Sequence, residues 1–183
     1  MIVNQVDYNK LEKEINDILN ASLINNHDHL LDMLNQRYEE TKYPGFIYAI
    51  GLLYEKSILY SNKPNKYYLY YVDAASQNYL PAIIKILELY LYHVYDETVI
   101  NGVSLYIEEN YKNIVNDSYG EYLLAKYGMI RSIVMNDEHE DFNDALVLMK
   151  DSANKGCLDA KEFLKKTKLE NKNKLDILKI AAY

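Results

Sequence analysis

Few residues of this chain have the types and spacing that chemistry needs. His139-Glu140 begins like the helix of a zinc protease, in which a second His at the fifth position completes the metal ligands, but Asn143 stands there instead. His27 and His29 are two residues apart, so on a helix they face different directions. The chain has no phosphate-binding glycine loop, no nucleophile elbow and no Cys-x-x-Cys pair. We therefore expect a protein that is not an enzyme, with no catalytic residue, no cofactor and no metal ion.

An acidic segment is the remaining candidate for ligand chemistry. Residues 136–141 read Asn-Asp-Glu-His-Glu-Asp, and their oxygens are of the type that binds divalent cations. The segment lacks the twelve-residue spacing of a calcium loop, and it lies between two predicted helices. We interpret it as a turn that offers an acidic surface to a partner. The residues of this acidic turn are Asp137, Glu138, Glu140 and Asp141.

The cysteine count and the first residues bear on location. Cys157 is the one cysteine, so an internal disulfide is impossible, as is usual for proteins of a reducing compartment. The start, Met1-Ile-Val-Asn-Gln, has no charged segment followed by an apolar one, and no apolar run is long enough to span a membrane. These observations predict a cytoplasmic protein without a membrane partner.

A spaced pattern occurs twice, 78 residues apart. Residues 145–160 read A-x-x-L-x-x-D-S-A-x-x-G-x-x-x-A, and residues 67–82 read Y-x-x-Y-x-x-D-A-A-x-x-N-x-x-x-A. Upstream of each copy, a large apolar residue precedes a glycine, as Ile50-Gly51 and as Tyr127-Gly128. The repeat periods are 36, 41 and 37 residues between the anchors Phe46, Ala82, Leu123 and Ala160. Such periods are typical of stacked helix–turn–helix pairs.

These residues resemble the Sel1-like repeat family, which is tetratricopeptide-like and has the pattern A-x-x-x-L-G-x-x-Y, then D-x-x-K-A-x-x-W/Y-x-x-K-A-A-x-x-G-x-x-x-A. The resemblance covers residues 46–163, with Asp73 in place of Lys and Asn78 in place of Gly. In the middle unit Leu87 stands for Gly, and Tyr111 is the main anchor that remains. The resemblance implies an all-α fold, an α-solenoid of stacked antiparallel helix pairs that curves into a superhelix. An ordinary helical bundle with chance spacing is the alternative.

The predicted organisation is one helical-repeat domain over residues 1–183. It consists of a worn repeat or cap over 1–45, Sel1-like repeats over 46–163 and a C-terminal capping helix over 164–183. We expect Gly51 and Gly128 at close helix contacts, where a larger side chain would overpack. Predicted core anchors are Tyr54, Tyr70, Tyr111 and Tyr127. Helices are predicted near 7–20, 27–41, 45–58, 65–77, 80–95, 100–116, 119–135, 141–154, 157–168 and 172–182.

Charge is unevenly distributed along the chain. Residues 1–154 carry 12 Lys and Arg against 23 Asp and Glu, whereas residues 155–183 carry 8 Lys against 4 acids. An acidic body disfavours nucleic acid, because phosphate binding needs clustered cations. It favours a basic protein partner through complementary potential. The alternative is that the acids only keep the protein soluble. The 20 Tyr and the heavy use of Asn, Lys and Ile are typical of an AT-rich bacterial or viral genome.

Three functional hypotheses follow. The first is a non-enzymatic bacterial module for protein–protein interaction, specifically an immunity protein that binds and neutralises a cognate, basic antibacterial toxin. The second is a Sel1-like adaptor or regulatory scaffold in signalling or host interaction, and the third is an enzyme. In tetratricopeptide-like arrays the first helix of each pair lines the concave groove. Carrying the groove positions across predicts a partner surface of Tyr48, Leu52, Glu55, Ile84, Glu88, Tyr92, Tyr122, Met129 and Ser132. In a chain with 20 Tyr, a groove Tyr is alternatively background.

Overall fold

A computed structural model describes residues 7–21, 27–58, 67–91, 97–134 and 140–167. The helices of these ranges are α1 (Tyr8–Ala21), α2 (His27–Thr41), α3 (Pro44–Ile58), α4 (Tyr67–Ser76), α5 (Leu80–Leu91), α6 (Glu97–Ile114), α7 (Ser118–Val134), α8 (Glu140–Asn154) and α9 (Leu158–Thr167). The described ranges contain no strand, so the all-α prediction is confirmed there. Predicted and observed helices agree closely. The predicted end of the fifth helix and the predicted helix 172–182 lie outside the described residues.

The helix ends follow from local turn chemistry. The Lys10 amide donates to Asp7 Oδ1 at 3.2 Å, which makes Asp7 the N-cap of α1. Asp117 does the same before α7, where its Oδ1 accepts an amide of the first turn at 2.8 Å. Lys42, at φ 54°, turns the chain after α2, and Pro44 opens α3 at the position where a missing amide hydrogen costs least. The predicted break before Gly45 is therefore confirmed.

The chain divides into two compact units, residues 1–83 and 84–183, with the boundary inside α5. In unit 1, α3 packs against α1, α2 and α4. The α1 contribution to the core is Leu11, Ile15 and Ile18, which lie on one stripe of the helix because they are four and three residues apart. Leu34 of α2 and Leu53 of α3 are fully buried against that stripe. The single-domain organisation stays a prediction.

In unit 2, α7 is the central helix. It packs against α6, α8 and α9, and α8 also packs against α9. Leu123, Tyr127 and Ile130 form one buried stripe of α7 and are all at most 7% exposed, which confirms the predicted anchor Tyr127. On α8 the small residues Ser152 and Ala153 are also buried. One predicted anchor is wrong. Tyr111 on α6 is 48% exposed, so it lies on the surface.

The two copies of the repeated pattern close their helices in the same way. After α4 the chain turns left-handed at Asn78, with φ 60°, and after α8 it does so at Gly156, with φ 106°. The amides of Asn78 and Tyr79 bond back to the carbonyls of Ala75 and Ala74, at 2.9 and 3.2 Å. The equivalent amides 78 residues later bond back to Ala153 and Ser152, both at 3.1 Å. This paired closure is the Schellman motif. Both copies therefore share one local structure, including a helix that begins two residues after the turn.

Gly51 lies at a close contact between α3 and α4. A Cβ built at this position would lie 2.6 Å from Cε1 of Tyr71 and 3.2 Å from Cβ of Tyr70. Real Cβ atoms do not come this near to other heavy atoms, so α3 and α4 meet here only because the residue is glycine. The predicted role of Gly51 is confirmed. The aligned Gly128 is half-buried on α7.

Candidate interaction surface

A connected series of tyrosine rings runs through unit 1. Each ring lies 5.4–5.9 Å from the next, measured between centroids. Pairs at such separations and at tilted or edge-on angles attract through the ring quadrupole, beyond the gain from burial. The series joins residues from α1, the α2–α3 turn, α3, α4 and the α4–α5 turn. In order, its members are Tyr8, Tyr43, Tyr79, Tyr48, Tyr71 and Tyr67.

Two carboxylates accept hydrogen bonds from this series. Glu12 on α1 receives the hydroxyls of both Tyr43 and Tyr79 on a single oxygen, Oε1, the second at 2.9 Å. Glu55 on α3 receives the hydroxyl of Tyr71 on Oε2 at 2.6 Å. The phenols point inward from other elements, so they fix both carboxylates in place. We call Glu12, Glu55 and the six tyrosines the tyrosine–carboxylate network.

The network changes the acidity of its tyrosines. Burial, followed by the hydrogen bond to Glu55, raises the pKa of the Tyr71 phenol far above its usual range. Burial and the hydrogen bonds to Glu12 raise the pKa of Tyr43 and Tyr79 in the same way. These phenols are therefore held protonated, as hydrogen-bond donors to the carboxylates.

The network contains two of the residues that the sequence predicts for the groove, together with others that it misses. Tyr48, Leu52 and Glu55 lie along one stripe of α3 and all are half-buried. Tyr48 contacts the rings of Tyr71 and Tyr79. Glu12, the central carboxylate of the network, comes from residues 1–45, for which the sequence predicts only a worn repeat or cap. Its contact with Tyr79 joins residues 67 positions apart, and no local spacing signals such a pair.

In unit 2 the predicted residues lie in a different chemical setting. Glu88, half-buried on α5, accepts the hydroxyl of Tyr119 at 3.1 Å and pairs with Lys85 at 3.2 Å. The Tyr119 ring lies 5.7 Å from that of Tyr122, and Lys126 Nζ lies 5.7 Å from the Tyr122 ring centre. Burial lowers the pKa of Lys126, against the opposing charges of Asp159 and Glu88. Half-buried Ile84 precedes this cluster on α5.

Two predicted groove residues are buried in the structure. Met129 is 0% exposed and Ser132 is 2% exposed, and the Ser132 hydroxyl bonds back to the Met129 carbonyl at 3.1 Å. Neither side chain offers surface to a partner, so the prediction that they line the groove is wrong. The reason is that α7 packs against three other helices, α6, α8 and α9. Tyr92 lies outside the described residues.

The acidic turn is described only where α8 begins. Asp137 and Glu138 lie outside the described residues. Glu140 and Asp141 are the first two residues of α8. The turn as a partner surface stays a prediction.

Glu121 is the most deeply buried of the carboxylates that the structure describes in unit 2. Its side chain is 7% exposed, and Oε1 pairs with Lys155 Nζ at 2.5 Å. Oε2 is buried and has no hydrogen-bond partner among the described residues. Lys155, on the turn after α8, thus holds the first turn of α7 against the end of α8. The Ser152 hydroxyl reinforces the same contact by donating to the Ser118 carbonyl at 2.6 Å.

Comparisons with known proteins add no identity. No protein-family model, no curated protein and no solved structure matches the chain. Within the described residues, no group of three or more His, Cys, Asp or Glu is placed to hold a metal ion, and no helix is both long and apolar enough to cross a membrane.

Proposed function

We propose that this chain is a non-enzymatic protein–protein interaction module of the bacterial cytoplasm, built as a Sel1-like solenoid of stacked helix pairs. The observation that carries this proposal is the repeated closure at Asn78 and Gly156. The same left-handed turn, the same back-bonding and the same onset of the next helix recur 78 residues apart. Stacked helical repeats present extended side-chain surfaces, and binding is the use to which such surfaces are suited.

Within this class, the chain acts as an immunity protein that neutralises a cognate, basic antibacterial toxin. The formal net charge is −7. The tyrosine–carboxylate network places half-buried Glu12 and Glu55 beside aromatic rings, and tyrosine is enriched at binding hot spots. An acidic surface steers a basic partner towards it and is complementary to a cationic active-site cleft. Covering such a cleft, or binding beside it, would stop the toxin without chemistry on the immunity protein.

The test is a partner encoded beside this chain. The reading frame directly upstream is expressed with and without this chain, and growth, co-purification and the association rate are measured. We expect the neighbour to be toxic alone, harmless when co-expressed and bound in a stable complex whose association slows as salt rises. A neighbour that is neither toxic nor captured would contradict the immunity function and favour the adaptor hypothesis.

A pair of matched double variants locates the surface. Glu55→Gln with Glu88→Gln removes two predicted groove charges and keeps an oxygen that can accept from Tyr71 and Tyr119. Asp32→Asn with Asp73→Asn removes two exposed charges elsewhere. We expect only the first to weaken the complex, by about tenfold. Equal affinities of the two folded variants would exclude these carboxylates from the interface.

A further inference from the structure

Glu12 differs from other carboxylates of this fold in what surrounds it. Glu14, two residues along the same helix, pairs with Arg37, whose Nη2 lies 2.8 Å from Glu14 Oε2. Glu88 pairs with Lys85 and Glu121 with Lys155. Each of these carboxylates is thus neutralised by a cation of this chain. In the part of the chain that the structure describes, Glu12 has phenol donors and no ion-pair partner.

The two oxygens of Glu12 are used unequally. Tyr43 and Tyr79 both donate to Oε1, so one oxygen carries both phenol contacts. No described residue donates to Oε2, and the side chain is half-buried rather than enclosed. Removing a carboxylate partly from water without a cation is unfavourable, and a cation that reaches Oε2 would recover that cost. The phenols hold the carboxylate in place, so little side-chain entropy remains to be lost on binding.

The rings beside Glu12 add a second attraction for a cation. The Tyr8 ring is 60% exposed at the start of α1 and lies 5.4 Å from the Tyr43 ring. The Tyr43 ring lies edge-on to Tyr79 at 5.8 Å. A cation within about 6 Å of such a ring is attracted by its quadrupole, more strongly where water is partly excluded. Carboxylate oxygen and exposed aromatic surface are thus offered within one small area of unit 1.

From this juxtaposition we infer that Glu12, with Tyr8, Tyr43 and Tyr79, forms a binding site for a guanidinium group, supplied by an arginine side chain of a protein partner. A guanidinium is planar, donates in a fork that fits a carboxylate and stacks on aromatic rings, whereas an ammonium does only part of this. The identity of the partner rests on the proposed function. The site itself does not, because it can be probed with arginine chemistry alone.

The experiment uses the full chain and N-acetyl-arginine amide as the probe. Tyrosine ring signals are followed by NMR at low ionic strength during a titration, and N-acetyl-citrulline amide serves as the neutral probe of the same shape. We expect the arginine probe to shift the signals of Tyr8, Tyr43 and Tyr79 in a saturable way and the citrulline probe not to do so. Equal shifts with both probes, or no shift with either, would overturn the site.

Variants test whether Glu12 binds the arginine probe. Glu12→Gln keeps an acceptor for the two phenols and removes the charge, and we expect it to weaken arginine binding about tenfold. Asp32→Asn, the same charge change on an exposed face of α2, should leave binding unchanged. Tyr8→Ala, at an exposed ring, should weaken binding severalfold and keeps the test available if Glu12→Gln fails to fold. Unchanged binding in folded Glu12→Gln or Tyr8→Ala overturns the inference.

The arginine site and the immunity function can be excluded independently of each other. If the arginine probe does not bind but the toxin complex still forms, the arginine site is excluded and the immunity function is retained. If the probe binds saturably but no toxin partner is found, the site is retained and the immunity function is excluded.

Discussion

In unit 1, Glu12 accepts hydrogen bonds from Tyr43 and Tyr79, whereas in unit 2 Glu88 accepts one from Tyr119 and also pairs with Lys85. The ingredients are the same, a half-buried carboxylate beside tyrosines. The difference is the source of the cation. In unit 2 Lys85 pairs with Glu88, whereas in unit 1 the guanidinium proposed to pair with Glu12 comes from a partner. Similar residues can therefore make one carboxylate self-contained and leave another able to receive a cation.

The largest effect should come from the contact that holds the unit 1 network together. Gly51→Ala places a Cβ 2.6 Å from the Tyr71 ring, so α3 and α4 must separate, and we expect a loss of about 3 kcal/mol in the free energy of unfolding. Urea denaturation measures it. Val72→Ala, on the exposed side of α4, is the control and should change stability little. A Gly51→Ala variant as stable as this control would show that the helices do not meet at Gly51.

Alkaline pH should destabilise unit 1 through its buried phenols. The pKa values of Tyr71 and Tyr79 are raised in the folded state, so their stabilisation is complete below the unfolded-state pKa of about 10 and is lost as the pH rises above it. Each contributes a slope of about −1.4 kcal/mol per pH unit. Hydrogen exchange above that pH should therefore show unit 1 amides losing protection. Tyr71→Phe should reduce the slope, and an unchanged slope would contradict the network.

A pair of hydroxyl deletions tests the contrast between the two carboxylates directly. Tyr79→Phe leaves Glu12 with one donor, and we expect a loss of about 1.5 kcal/mol in stability. Tyr119→Phe leaves Glu88 its pairing with Lys85, so the expected loss is about 0.5 kcal/mol. Thermal melts of both variants measure the difference. Equal losses would mean that Lys85 does not compensate Glu88.

The smallest effect concerns the two helix closures. Asn78→Gly should stabilise the protein by about 0.5 kcal/mol, because glycine adopts φ 60° without strain. Gly156→Asn should destabilise it by about 1 kcal/mol, because φ 106° lies beyond the left-handed region that asparagine tolerates. Denaturant midpoints measure both changes in stability. If both variants shift the midpoint in the same direction, Asn78 and Gly156 do not close their helices in equivalent ways.

Helix positions were predictable because local rules decide them. The stripe of Leu123, Tyr127 and Ile130 and the turn at Pro44 depend on residues within a few positions of one another. The closure at Asn78 was visible because asparagine stands where the repeated pattern has glycine. All of these features follow from helix periodicity or from turn preferences, and both can be detected in a single sequence.

The candidate site was predictable only in part, because it depends on contacts between distant segments. Tyr48 and Glu55 follow from the repeat pattern, but Glu12 joins them through hydroxyls from the α2–α3 turn and the α4–α5 turn. Burial of Met129 and Ser132 depends on how many helices surround α7. Tyr111 lies on the surface of α6, although the sequence pattern predicts it as a core anchor. Spacing along one helix contains none of this information.

The buried Cys157 has a practical consequence. It is the one thiol of the chain, is 6% exposed, and its amide closes the Schellman turn between α8 and α9. A thiol reagent added to the native protein can react only when that corner opens, so the labelling rate reports the opening equilibrium of this corner at single-residue precision. Partner binding to unit 2 would slow the labelling of Cys157, whereas binding confined to the Glu12 site would leave the labelling rate unchanged.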